Sequence, residues 1–154
     1  MYSIVPDFDM NAINSYIEQE SQAFLDGLLA DWRRAGKKHV EAIRTNIKLP
    51  GDSGNKSTFD NHTWNLRSSI GYIIIYDGEI IEDYFPVLNG GSEGAEAGKA
   101  WAQEVGVYVN EGEGIQMIII AGMEYAVFVQ SKGYDVIDFV SETQLPKILM
   151  EEMN

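Results

Sequence analysis

The stretch Gly71-Tyr72-Ile73-Ile74-Ile75-Tyr76-Asp77-Gly78-Glu79-Ile80-Ile81-Glu82-Asp83-Tyr84-Phe85 decides the fold. Residues 71–76 are a run of β-branched and aromatic side chains. Asp77-Gly78 is a two-residue type I′ turn signature, residues 79–85 return with partial alternation, and Pro86 ends the run. Together these predict a β-hairpin. Two further strands are expected at 115–121 and 125–130, joined around Gly122-Met123-Glu124, with 135–140 as a short strand or extended lead-in. Strands that cluster in hairpins build a mainly antiparallel sheet.

Outward from the hairpin the pattern is helical. Met10, Ile13, Ile17, Phe24, Leu28, Trp32, Val40, Ile43 and Ile47 recur at helical steps, so residues 9–47 read as a long N-terminal helical region whose stripe faces the core. Asp9 or Asn11 can cap its start, and Ala35-Gly36 is the expected bend or break, because glycine costs a helix interior about 1 kcal/mol. Residues 48–62, rich in Gly, Ser, Asn and Asp, are a loop. A helical turn capped by Thr63 precedes the hairpin, and Gly90-Gly91 is the pivot of a second loop at 86–94. A short helix follows at 95–105, then an extended piece at 107–110 and a glycine-rich acidic turn at 111–114. Ser141-Glu142-Thr143-Gln144 has the form of a capping box and opens a C-terminal helix over 141–153. The expected protein is one α+β domain over 1–154, with helices packed on a mainly antiparallel sheet spanning a body at 63–140.

Charge and composition exclude several functions. Among 154 residues there are 24 acidic and 11 basic, a net charge of −13, which disfavours generic nucleic-acid binding and attraction to an anionic membrane surface. The charge is uneven: residues 1–70 hold 8 basic against 9 acidic groups, and residues 71–154 hold 3 against 15. Cysteine is absent, which removes disulfides, thiolate metal sites and thiol nucleophiles. No apolar run approaches the roughly 20 residues of a membrane span, and the N-terminus lacks a signal-peptide pattern. The two histidines, His39 and His62, belong to no metal-spaced set, even with Asp60 beside His62. Asp52-Ser53-Gly54-Asn55 lacks the ligand alternation of a calcium loop. Gly90-Gly91-x-x-Gly94 precedes a helix as a phosphate loop does, but Glu93 and Glu96 would repel the anion. No catalytic, cofactor or metal site is therefore expected. One positive feature stands out: Arg33/Lys37 and Arg34/Lys38, spaced i,i+4, form a basic helix face. It is either a solvated face paired with acidic neighbours of its own chain or a docking stripe for the acidic half of a second copy.

Two short stretches carry a resemblance. Asn65-Leu66-Arg67-Ser68-Ser69-Ile70, followed by a hairpin, resembles the T-G-N-L-R-x-S-I motif of the HK97-like phage tail-completion and head–tail connector family. The stretch from Gly122 to Gly133, with Tyr125, Ala126 and Val129, resembles the same family's second signature, Y-A-x-x-V-E-x-G. Trp64 stands where the family has glycine, Gln130 where it has glutamate, and 86–114 is a long segment between the motifs. Leu66 and Ile70, at i,i+4, would pin the turn to the core, Arg67 would reach a carboxylate, and Tyr125, Val127 and Val129 would share a strand face. The resemblance implies a non-enzymatic structural protein without cofactors. It implies partners that are other copies of itself in a homo-oligomeric ring and other phage head or tail proteins. It implies a place in the virion, reached from the host bacterial cytoplasm. Loops 48–62 and 86–94 are the expected interface segments. The competing reading is a small-molecule or protein-binding α+β domain unrelated to phage.

Overall fold

The computed structural model describes residues 2, 7–46, 63–108, 112–131 and 136–153. The loop at 48–62, with His62 and Asp60, and the motif glycine Gly133 lie outside them. Along the chain run α1 (Met10–Asn46), α2 (Asn65–Ser68), β1 (Ile70–Tyr76), β2 (Glu79–Tyr84), α3 (Ser92–Tyr108), β3 (Ile115–Ala121), α4 (Ala126–Ser131), α5 (Asp138–Thr143) and α6 (Leu145–Glu152). The fold is α+β, and the three strands form an antiparallel sheet ordered β2-β1-β3.

Central β1 has an unbroken apolar run because both of its faces are buried. Ile70, Tyr72 and Ile74 join a core shared with α1, α4 and α5, while Ile73 and Ile75 join a second core with Phe85, Ala95 and Ala102 under α3. The expected turn is present: Asp77 and Gly78 both have positive φ, 45° and 85°. Asp77 also ties the hairpin to the start of β3. Its backbone N–H donates to Gly114 O at 3.1 Å, and its carboxylate accepts the Gly114 N–H at 2.7 Å.

Edge strand β2 contains a bulge. Ile74 pairs with Glu82 but Ile75 pairs with Ile80, so Ile81 is the extra residue. That one-residue insertion reverses the facing of what precedes it. Ile80 packs with the α3-side core, whereas Glu82 and Tyr84 meet Tyr72 on the α1 side. The partial alternation at 79–85 is the sequence trace of this reversal.

The expected break at Ala35-Gly36 does not occur: α1 is one helix of 37 residues, about 55 Å at 1.5 Å per residue. Gly36 is there for close approach. A Cβ on it would lie 2.7 Å from Met117 Cε and 2.8 Å from Tyr72 Cε1. The strand expected at 125–130 is instead helix α4. Ala126 is buried and Val129 half-buried three residues on, while Val127 and Phe128 face outward, a helical and not a two-residue period. The extended segment expected at 135–140 overlaps α5, and Val136, just before that helix, and Val140 within it both enter the core. The single C-terminal helix is two, α5 and α6, meeting at Gln144, with Pro146 in the first turn of α6 where it costs least. The capping box fails because Ser141 lies inside α5, its N–H donating to Ile137 O at 3.0 Å, and its hydroxyl meets His39 instead. Helix α3 is longer than expected and takes in residues 107 and 108.

Gly36→Ala is expected to lower stability by about 1–3 kcal/mol despite the better helix propensity, because the methyl group meets Tyr72 and Met117. Gly27→Ala, with nothing within 4 Å of the new Cβ, is expected to raise stability by up to about 1 kcal/mol. Urea unfolding of the pair separates the two effects.

Candidate assembly surface

Asp9 starts α1. Its carboxylate accepts the Asn11 backbone N–H at 2.9 Å and its carbonyl accepts that of Ile13 at 3.1 Å. From there the helix presents Met10, Ile13, Ile17 and Phe24 along one side, with Tyr16 adjoining. By steps of three and four the same side carries Leu28, Trp32, Ala35, His39 and Ile43 farther on, where the body half-covers or buries them. The first half is different: Tyr16 is 63% exposed, Ile17 56% and Phe24 73%. The stripe expected to face the core does so only from about Leu25 onward. Among the described residues nothing covers residues 10–24.

The basic face behind this projection is engaged within its own chain. Arg33 donates to Glu82 of β2, with Tyr72 Oη donating to the other oxygen of that carboxylate at 3.0 Å. Burial and this bond push the Tyr72 phenol far above its ordinary range. Arg34 pairs with Asp31 and, through Nε at 2.9 Å, with Glu152 of α6, which also accepts from Lys38. Lys38 and Arg34 hold the Glu152 carboxyl below its usual value, and Glu152 raises both cations in return. Lys37 lies over the Tyr84 ring, 5.3 Å from its centroid. These four residues clamp α1 to β2 and α6, the intramolecular one of the two readings of the basic face.

The two stretches that carried the resemblance meet at one end of the sheet. The Asn65 amide oxygen accepts the Gly94 N–H at 3.3 Å and its nitrogen donates to Glu93 at 3.2 Å, so this side chain occupies the start of α3. That is why the glycine loop before α3 has no room for a phosphate: at Gly91 a Cβ would already meet Ser68 Oγ and Trp64 O at 2.5 Å. Leu66 and Ile70 are in the core as expected. The Ser69 hydroxyl donates to Leu66 O at 2.8 Å. Arg67 is buried, with its guanidinium 5.2 Å from the Trp64 ring centroid. Trp64 itself has φ 62°, a left-handed conformation that glycine adopts without cost. From the second stretch, Gly122 N–H donates to Ser69 O at 3.1 Å, and the Tyr125 phenol lies close to Thr63 and the Leu66 backbone. Burial pushes the Tyr125 phenol up.

Two groups to which the sequence assigned no buried role knit these parts together. Arg44, 2% exposed, donates from Nη2 to Ile70 O at 2.6 Å and to Ser68 O at 3.2 Å. Burial lowers its pKa to about 10, so the guanidinium stays charged at neutral pH. His39, fully buried, shares a 3.0 Å hydrogen bond between Nε2 and Ser141 Oγ of α5. Both stand on the core-facing side of α1, where the only sequence signal was a charged residue inside an apolar stripe.

Beside this knot is a hollow of about 560 Å³ between α3 and the 122–125 turn, walled by Ala97, Ala100, Trp101, Met123 and Tyr125, with the exposed carboxylates Glu104 and Glu124. A smaller one of about 380 Å³ adjoins α4 at Ala121, Ala126, Val127 and Val136. Among the described residues no group of three His, Asp or Glu could hold a metal ion, and no helix is long and apolar enough to cross a membrane. Comparisons with protein-family models, with curated proteins and with solved structures find no match to this chain.

Burial lowers the His39 pKa below 6.5, so the folded state binds this proton less readily than the unfolded chain. Stability is therefore expected to be fully present above about pH 6.5 and to fall as pH drops below it toward the folded value. Denaturant unfolding across about pH 5 to 7 in a His62→Gln background should show that slope. His39→Gln should flatten it. Separately, Arg44→Met is expected to cost about 2–4 kcal/mol by stranding two buried carbonyls.

Proposed function

We propose that the chain is a structural protein of a phage or prophage particle, acting in tail completion or head–tail joining by assembling into a homo-oligomeric ring. The observation that carries the assembly reading is the projecting half of α1. A well-anchored helix holds a line of large apolar side chains out in water, and such a surface marks a protein–protein contact. The phage reading rests on the two resembling stretches. It is supported by their meeting in space through Tyr125 and Gly122, and by the left-handed backbone at Trp64, the position where that family has glycine. In this role the motif residues are structural: they lock α2, β1, α3 and α4 into the platform from which α1 extends. The ring's other contacts would be to further head or tail proteins of the particle.

The contact we propose is apolar, and the partners that Arg33, Arg34, Lys37 and Lys38 have in their own chain favour it over a pairing of basic and acidic halves. Copies that each carry −13 repel one another, and salt screens that repulsion. Self-association measured by sedimentation velocity is expected to strengthen, or hold, as salt is raised. Ile17→Asp is expected to weaken it at least tenfold, about 1.4 kcal/mol, with no loss of thermal stability because Ile17 is exposed. A chain that stays monomeric at high concentration and is missing from the assembled particle refutes the proposal.

A further inference from the structure

We propose that the hollow between α3 and the 122–125 turn is a docking site for an arginine side chain on a basic segment of a partner protein. It uses no residue of α1 and does not depend on self-assembly. The hollow arises from residue size. Ala97, Ala100, Trp101 and Glu104 follow one another at helical steps of three and four, so they share one face of α3. The two alanines leave space, and Trp101, 49% exposed, stands beside it. The opposite wall is held close. A Cβ at Gly122 would lie 2.3 Å from Gly98 Cα, and the Gly122 N–H bond to Ser69 O fixes the turn against α3. Tyr125 follows with its phenol close to Thr63 and the Leu66 backbone, which places its ring as the second aromatic wall.

Charge decides the occupant. Glu104 and Glu124 line the hollow, and among the described residues neither is in an ion pair. The single lysine of α3, Lys99, pairs instead with Asp83 of β2 at 3.1 Å. An anion meets two like charges here, and a neutral ligand makes no use of them. An organic cation is matched by the rings on its face and by the carboxylates at its edge. Guanidinium suits both better than ammonium does, because it is planar, weakly hydrated and able to stack while its edge donates hydrogen bonds. The surrounding half of the chain, with 3 basic against 15 acidic residues, draws a basic segment in from a distance. A polypeptide fits better than a small free cation, since the hollow is open and Val127, 78% exposed, continues the surface along α4. Arg33, Arg34, Lys37 and Lys38 have partners in their own chain, which favours a different protein over a second copy as the source.

The probe is a short capped peptide of alternating glycine and arginine, with its citrulline twin as the uncharged isostere. Each is titrated into the isotope-labelled full chain, and the three tryptophan indole N–H signals are followed by NMR. The expected result is a dose-dependent shift of the Trp101 signal, assigned from Trp101→Phe, with the Trp32 signal unmoved and no shift from the citrulline peptide. Glu104→Gln combined with Glu124→Gln is expected to weaken binding at least tenfold. Glu79→Gln combined with Glu113→Gln removes the same charge at the Tyr76 end of the sheet, away from the hollow, and is expected to change binding by less than about twofold. All four glutamates are exposed, so both variants keep the fold. A Trp101 signal that stays still, equal weakening by the two double variants, or equal binding of the citrulline peptide overturns the proposal. So does a Trp101 signal that moves with the concentration of the chain alone, which makes a second copy the occupant.

Discussion

Burial of β1 on both faces is the constraint from which the rest of the arrangement follows. A strand whose successive residues are all apolar needs cover on two sides. Here α1 supplies one cover with α4 and α5, and α3 supplies the other. The cover is close because small residues stand where helices cross the strands. At Gly36 a Cβ would reach the Tyr72 ring, and at Gly98 it would lie 2.6 Å from both Phe85 Cδ1 and Ser69 O. The bulge at Ile81 serves the same end. It lets a two-faced edge strand give Ile80 to one core and Glu82 with Tyr84 to the other side.

Polar groups then fix the layers in register. Buried Arg44 meets carbonyls at the start of β1, His39 meets Ser141 of α5, and Glu82 sits between Arg33 and Tyr72. The bonds of Arg44, His39 and Arg33 join elements more than twenty residues apart, and each buried polar atom so paired avoids a desolvation cost of about 1–3 kcal/mol. Apolar burial sets which faces meet, and these bonds set how they are aligned. The ion pairs of Arg34 and Lys38 with Glu152 are more exposed and so hold α6 less firmly.

The hairpin, β3, the helical character of 10–46 and the α+β class were legible because each rests on a local signal: a positive-φ dipeptide, a β-branched run or a sustained period near 3.6. Helix α4 was not legible, since Tyr125-Ala126-Val127-Phe128-Val129 is apolar at every position and too short for its period to show. The break wrongly expected at Gly36 has another cause: glycine's local cost was visible, but the neighbouring ring that makes glycine necessary was not. For the candidate assembly surface, the stripe could be read but not the point at which the body stops covering it, because that depends on where a roughly 55 Å rod crosses a far shorter sheet. The Trp101–Tyr125 hollow joins residues more than twenty positions apart and leaves no periodic trace.

The charge asymmetry takes on a different meaning once the ion pairs are known. Arg33, Arg34 and Lys38 are engaged in fastening α1 to β2 and α6, and the excess carboxylates of the chain lie in residues 71–154. Such a body repels its own copies, and only a strong local attraction can overcome that. The projecting segment meets the requirement in the way the physics allows. It extends well away from the clamps, its first eight helical residues carry no charge, and its stripe is large and apolar. In the proposed assembly the long-range field would suppress nonspecific adhesion between copies, while one short-range apolar contact would stay attractive. That combination would select a single mode of association, which the proposed closed assembly needs more than raw affinity.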